Sequence, residues 1–305
     1  MKRYNSFNDE MKSRFGCKVY KIALDGGFSC PNRDGKIGCG GCIFCSGRGS
    51  GDFTFSGESI EKQLEYGKAL VRAKNPNGKF IAYYQSFTNT NAKLCKLKEI
   101  YRPALESDDI TAISIATRPD CLPDETIGLL HDMNQTKPVW VELGLQTVNE
   151  KTAEYIRRGY KLEVYDDAVR RLKAAGLEVI THMIIGLPGE TADDAVKTCR
   201  HIAEAGSDGI KLQLLHVLKN TDLEKDYVNK KFKALELDEY IAILEKCIEA
   251  LPENIVIHRL TGDGAKSELI APLWSADKKR VLNAINASFE RDDIRQGRNA
   301  NKSYQ

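Results

Sequence analysis

Short apolar runs rich in β-formers alternate with longer segments of helical period along most of this chain, and that alternation builds parallel βα units. Strands are expected at 19–24, 80–86, 112–117, 139–145, 178–185 and 209–217. After the first interval their centres lie about 30 to 40 residues apart, the length of one βα unit. The first interval is about twice as long, so an additional loop follows strand one. Helix ends are punctuated as well. Ile60, Leu64, Gly67 and Val71 mark one apolar face, Thr191 with Asp194 reads as a capping box, and Gly176 and Gly206 each stop a helix before the next strand. Six such units exceed one mononucleotide-binding half and fit an open barrel. The expected fold class is α/β: a partial (β/α)6 TIM-like barrel over 1–220 with a C-terminal α/β extension over 221–305. The extension holds a strand-like run at 254–258, helices near 238–251 and 276–289, and a polar tail, 291–305, that reads as a solvated, frayed end.

The long first interval carries the chemistry. Of nine cysteines, four lie in CPNRDGKIGCGGCIFC over 30–45: Cys30, Cys39, Cys42 and Cys45. Apolar runs never reach the length of a membrane span, and the polar start MKRYNSFNDEMKSRF has no secretory apolar core, so the expected location is cytoplasmic and no membrane partner is expected. Thiols stay reduced there. Cys199 and Cys247 fall in helical patterns as small buried hydrophobes, and Cys17, Cys95 and Cys121 are scattered. Clustered thiols between glycines instead suit a metal or cluster. Three readings remain: structural zinc with four ligands, an electron-transfer cluster with four cysteines, or a catalytic cluster with three and one open iron. Spacing does not choose among them, but the loop sits where such barrels place their chemistry, at the C-terminal ends of the strands.

In this setting the chain resembles the radical SAM enzymes, and within them the bacterial YtqA/YhcC-type family related to the group containing the catalytic subunit of Elongator. The resemblance rests on GGFSCPNRDG at 26–35, GCIFC at 41–45, YQSFTNT at 84–90, TRPD at 117–120, ELGLQ at 142–146, IGLPGE at 185–190 and RLTGD at 259–263. Eleven residues separate Cys30 from Cys42, against three in the superfamily's commonest spacing, a departure that belongs to this subgroup. The resemblance implies that Cys30, Cys42 and Cys45 hold a [4Fe-4S] cluster whose fourth iron binds the amino and carboxylate groups of S-adenosylmethionine, with Cys39 a bystander. It further implies Phe44 near the adenine, Gln85 and Ser86 near the methionyl amine, Arg158 (or Arg157) facing the cofactor carboxylate, and Gly186 beside the adenosyl group.

Glu142 and Gln146, four apart on one expected strand, share a face and are the candidates for catalysis if that face is inward; buried structural hydrogen bonding is the alternative. His182 and His216 are candidates for the site or for the core, and Arg118 and Asp120 for polar contacts at the mouth. The resemblance points to tRNA as substrate, at the side chain of the wobble uridine, and to an electron donor such as flavodoxin or ferredoxin. Lys+Arg at 45 against Asp+Glu at 43 give no global field that would demand a polyanion. Lys278-Lys279-Arg280 and the basic residues of the tail are local patches, more simply read as solvated charge. An electron carrier with a four-cysteine cluster would bind no S-adenosylmethionine, and a hydrolase barrel with a structural zinc would lack the oxygen-sensitive brown chromophore of an iron-sulfur protein.

Overall fold

The computed structural model describes residues 3–49, 51, 54–55, 57–73, 76, 78–262 and 264–300. In chain order they form α1 (Phe7–Phe15), β1 (Val19–Leu24), α2 (Ile60–Arg72), β2 (Lys79–Tyr84), α3 (Leu94–Glu106), β3 (Ile110–Thr117), α4 (Asp124–Asn134), β4 (Val139–Gln146), α5 (Glu150–Tyr155), α6 (Leu162–Ala174), β5 (Glu178–Ile185), α7 (Ala192–Glu204) and β6 (Gly209–Leu214). They continue as β7 (Val217–Leu218), α8 (Asp222–Val228), α9 (Leu237–Ala250), β8 (Val256–Arg259), β9 (Leu269–Ala271) and α10 (Lys278–Arg291). Local chemistry sets the boundaries. Thr191 and Asp194 form the expected reciprocal cap on α7, and Gly176 and Gly206 take left-handed φ values of 73° and 93° after α6 and α7.

Seven strands make one parallel sheet in the order β1-β2-β3-β4-β5-β6-β8, curled into a half-barrel with helices outside. The run expected at 209–217 breaks after Leu214, because Val217 and Leu218 leave the sheet to pair antiparallel with β9. The extension supplies β8, which pairs parallel with β6 and continues the same sheet. The tail is not frayed up to residue 300: Gln296 is buried and donates to the carbonyls of Pro252 and Ile255, and Asn299 bonds Glu249. Lys302 and the rest of 301–305 lie outside the described residues, as do Ser50 and Asp263.

Alternate strand residues point into the half-barrel in layers. Val19, Ile81, Ala112, Trp140 and Ile180 form the bottom layer, and α1 plugs it with Phe7, Met11 and Phe15. Two residues further along the same strands come Lys21, Tyr83, Ser114, Glu142 and His182. The barrel is therefore apolar at its base and charged in its middle. Outside, α2 lies so close to β1 that a Cβ on Gly67 would sit 2.3 Å from Cγ2 of Ile22. Gly67→Val is expected to lower stability by about 1–3 kcal/mol through overpacking, read as a lower urea midpoint at unchanged slope. No helix among the described residues is long and apolar enough to cross a membrane.

Candidate active site

The β1–α2 loop folds over the C-terminal ends of the strands and roofs a cavity of about 1600 Å³, counted out to its open mouth. Cys30, Cys42 and Cys45 line it, whereas Cys39 is exposed and points elsewhere. The loop is held by its own side chains: Asn32 donates to the carbonyl of Arg157 (2.6 Å) and approaches Cys42 Sγ at 3.6 Å, and Arg33 donates to the carbonyls of Cys45 (2.9 Å) and Ser46 (2.7 Å). Burial raises the pKa of Cys42, and burial with the neighbouring Cys42 charge pushes the Cys45 thiol up to about 12. Thiols so placed stay protonated at neutral pH unless a cationic centre takes the thiolates. Among the described residues no three His, Cys, Asp or Glu side chains gather closely enough to hold a single metal ion. Three soft donors spread around one cavity fit a larger iron-sulfur group.

The charged middle layer forms the cavity floor. Glu142 is fully buried, and both oxygens are engaged: Oε1 accepts from Lys21 Nζ (2.8 Å) and Ser114 Oγ (2.6 Å), and Oε2 from His182 Nε2 (2.6 Å) and Lys211 Nζ. Burial works against its charge, but Lys21, Lys211 and His182 overcome this and hold the carboxyl well below the usual range. For His182, burial and the Lys211 charge bring the pKa down to about 4. Because Glu142 can only accept, neutral His182 carries its proton on Nε2, which leaves Nδ1 to accept from Gln213 Nε2 at 3.4 Å.

This assignment fixes a pH dependence. Between pH 6.5 and about 4 the unfolded chain protonates this histidine and the folded chain does not, so stability falls as pH falls through that window. The loss from pH 6.5 to 5 is expected to be about 2 kcal/mol. His182→Gln, which cannot titrate, should flatten the slope of urea stability against pH there; an unchanged slope would contradict the assignment.

Other expected residues are placed unevenly. Phe44, Gln85, Gln146, Arg118 and His216 line the cavity with Glu142 and His182. Gln146 reaches it with a left-handed φ of 71°, at the point where the β4–β5 register slips. Ser86 is buried beside Thr54 Oγ1 (3.4 Å), behind the wall. Gly186 packs against Leu235, 2.9 Å from where its Cβ would be, and is not part of the lining. Arg158 borders the cavity, but its guanidinium donates to the carbonyls of Thr147 (2.7 Å) and Tyr160 (3.0 Å) and to Glu150 (2.7 Å), tying the β4–α5 turn together. Arg157 pairs with Asp222 at 2.7 Å on the surface. Arg158 is thus committed to partners within the protein, and Arg157 to a surface ion pair. Arg118 grips Asp120 through two hydrogen bonds (2.9 and 2.7 Å) and donates to the Arg158 carbonyl. Lys21, Tyr83, Lys211 and Gln213 were not among the expected site residues, and Arg259 entered only through the RLTGD motif; for Lys21 and Lys211 the available signal was a charge at an inward position of an otherwise apolar strand, as in VYKIAL and GIKLQL.

The fold and site define a half-barrel enzyme with a three-thiol loop over a polar interior. The Radical SAM superfamily model matches residues 37–202 and the Radical_SAM C-terminal domain matches residues 207–291. The chain belongs to the radical SAM superfamily, whose cofactors are a [4Fe-4S] cluster and S-adenosylmethionine. It is 43% identical to the uncharacterized protein YtqA of Bacillus subtilis over 298 residues, covering 97% of this chain and 92% of that protein. It is 37% identical to YhcC of Escherichia coli over 279 residues, 91% and 89% of the two chains. Over half of its length (155 residues, 28% of the relative) it is 28% identical to a tRNA uridine(34) acetyltransferase of Methanocaldococcus jannaschii. The solved archaeal Elp3 of Methanocaldococcus infernus shares the fold, with a TM-score of 0.69 at 17% identity over 91% of this chain and 64% of that one.

Proposed function

We propose that Cys30, Cys42 and Cys45 hold the cluster, that the chain reductively cleaves S-adenosylmethionine, and that it modifies the wobble uridine side chain of tRNA. The observation that carries the first part is the convergence of these three thiols, without Cys39, on one cavity with a polar floor. A [4Fe-4S] cluster held by Cys30, Cys42 and Cys45 would supply one-electron reductive chemistry toward S-adenosylmethionine bound in the cavity. The chain's own residues position and protect. Arg33 and Asn32 keep the thiol loop closed over the strands. Phe44, packed among Ile184, Leu187 and Leu215, gives the roof an apolar wall that limits water. Glu142 fixes the orientation of His182 and Lys211, and Gln146 stands over Gly144 nearer the mouth. An electron donor such as a flavodoxin or ferredoxin would deliver the electron at the open face.

The tRNA part is supported by the similarity to a tRNA uridine(34) acetyltransferase over half of the chain. The tail arginines add nothing to it, since Arg291, Arg295 and Arg298 are tied to Asp292, Asp293 and Glu249. Nucleoside mass spectrometry on tRNA from cells lacking the gene should show a wobble-uridine precursor accumulating and its product falling. An unchanged nucleoside profile would overturn tRNA as the substrate.

A further inference from the structure

Two side chains of the thiol loop stand against the cysteines themselves. Asn32 is buried, and its Nδ2 lies 3.6 Å from Cys42 Sγ while donating to the carbonyl of Arg157 (2.6 Å) and approaching that of Arg158 (3.4 Å). Two carbonyls on this nitrogen fix which end of the amide faces the sulfur, because a flipped amide would set oxygen against oxygen. The turn that presents them is unusual: Arg157 has a left-handed φ of 58° and Gly159 one of 82°. Such a conformation costs a non-glycine residue energy and recurs at functional sites. Gly159 also makes the room, since a Cβ there would sit 2.6 Å from Asn32 Oδ1. As a thiol, Cys42 donates to the Arg157 carbonyl at 3.6 Å. Once it gives up that proton its sulfur can only accept, and the Asn32 N–H is the contact that remains.

Arg33 brings charge to the other end of the loop. Its guanidinium donates to the carbonyls of Cys45 (2.9 Å) and Ser46 (2.7 Å) and lies over the Phe87 ring, 5.8 Å from the centroid. Both acceptors are main-chain carbonyls, so the positive charge is held beside the cavity that Cys45 lines. Gly41, with a φ of 75°, admits the side chain: a Cβ there would sit 2.7 Å from Arg33 Nε. A [4Fe-4S] core bound by three thiolates is a net anion, and reduction adds an electron to it. Hydrogen bonds to the sulfurs and a nearby cation therefore favour the reduced form.

We propose that Asn32 and Arg33 set the reduction potential of the cluster, raising it into the range of a low-potential one-electron donor protein. Asn32 acts by an N–H···S hydrogen bond to Cys42, and Arg33 by its charge beside Cys45. This deepens the proposed function and rests on Cys30, Cys42 and Cys45 holding the cluster.

The test is a potentiometric titration of anaerobically reconstituted protein without S-adenosylmethionine, followed by electron paramagnetic resonance, with iron content measured alongside. Asn32→Leu is similar in volume and has no donor; Arg33→Gln removes the charge. Each should lower the ratio of reduced to oxidised cluster at a fixed potential by about tenfold, the loss of one hydrogen bond to a charged group, which is about 59 mV for a one-electron couple. Arg33→Lys keeps the charge and should keep most of the potential. Variants with full iron and the wild-type potential would overturn the proposal, because a side chain that only closes the loop would change iron content and leave the potential alone. The wild type provides a second reading if a variant fails to load the cluster. Chain labelled with heavy nitrogen only at asparagine side-chain amides should show, after reduction, a nitrogen coupling to the cluster in pulsed electron paramagnetic resonance. No such coupling would overturn the Asn32 bond whatever the variants do. Wild-type protein that binds no iron would refute the proposed function and this inference with it, whereas full iron and a potential that no variant moves would refute this inference alone.

Discussion

Replacing Glu142 by alanine is expected to lower stability by about 3–5 kcal/mol, the cost of leaving buried charges uncompensated. The reason is geometric. Lys21 and Lys211 approach the two oxygens of this one carboxylate from opposite sides of the barrel, and His182 and Ser114 complete its shell. With the carboxylate gone, two ammonium groups face each other across an interior whose base is sealed by Trp140, Phe7 and Met11. Glu142→Ala should therefore show a much lower urea midpoint even before any catalytic assay. The double variant Glu142→Met with Lys211→Met should recover part of the loss, since it removes a cation along with its anion and replaces both with apolar volume. A single variant within about 1 kcal/mol of the wild type would contradict the charged-floor description. Gln146 differs. It is half-exposed at the mouth, so Gln146→Ala should leave stability nearly unchanged and weaken cofactor binding or coupling instead.

The second large effect concerns the thiols. Cys30→Ala, Cys42→Ala and Cys45→Ala should each abolish iron binding and deoxyadenosine formation, while Cys39→Ala should retain both. Cys42 and Cys45 are separated by two residues in a turn closed by a Cys45 N–H to Cys42 carbonyl bond (3.1 Å), and Cys30 begins the neighbouring turn, closed onto Arg33 and Asp34. Cys39 lies between these turns in sequence and is exposed. Iron lost at Cys39 but kept at Cys30 would reverse the ligand assignment.

The strands were legible because a parallel sheet buried on both faces leaves continuous apolar runs: the expected 19–24 and 178–185 coincide with β1 and β5. The capping box of α7 and the glycines after α6 and α7 were legible because they are local chemistry. The cavity lining was legible where the residue type was distinctive, in the cysteine loop and in Glu142. It was not legible where function depends on which neighbour a side chain meets. Arg158 looked available in sequence and is consumed by three carbonyl and carboxylate partners. Ser86 and Gly186 sit at strand ends as expected, yet strand parity and the packing of Leu235 turn them away from the cavity. Lys211 and Arg259 are 48 residues apart in sequence and become neighbours only through the β6–β8 register.

Radical chemistry at the three-thiol loop is the centre of this account, and one measurement tests it most directly: iron content and deoxyadenosine production of the unmutated protein, purified without oxygen, supplied with S-adenosylmethionine and a strong reductant. Four irons per chain are expected, the complement of one [4Fe-4S] cluster, with deoxyadenosine formed in step with that iron. Stoichiometric zinc, no iron and no deoxyadenosine would contradict it.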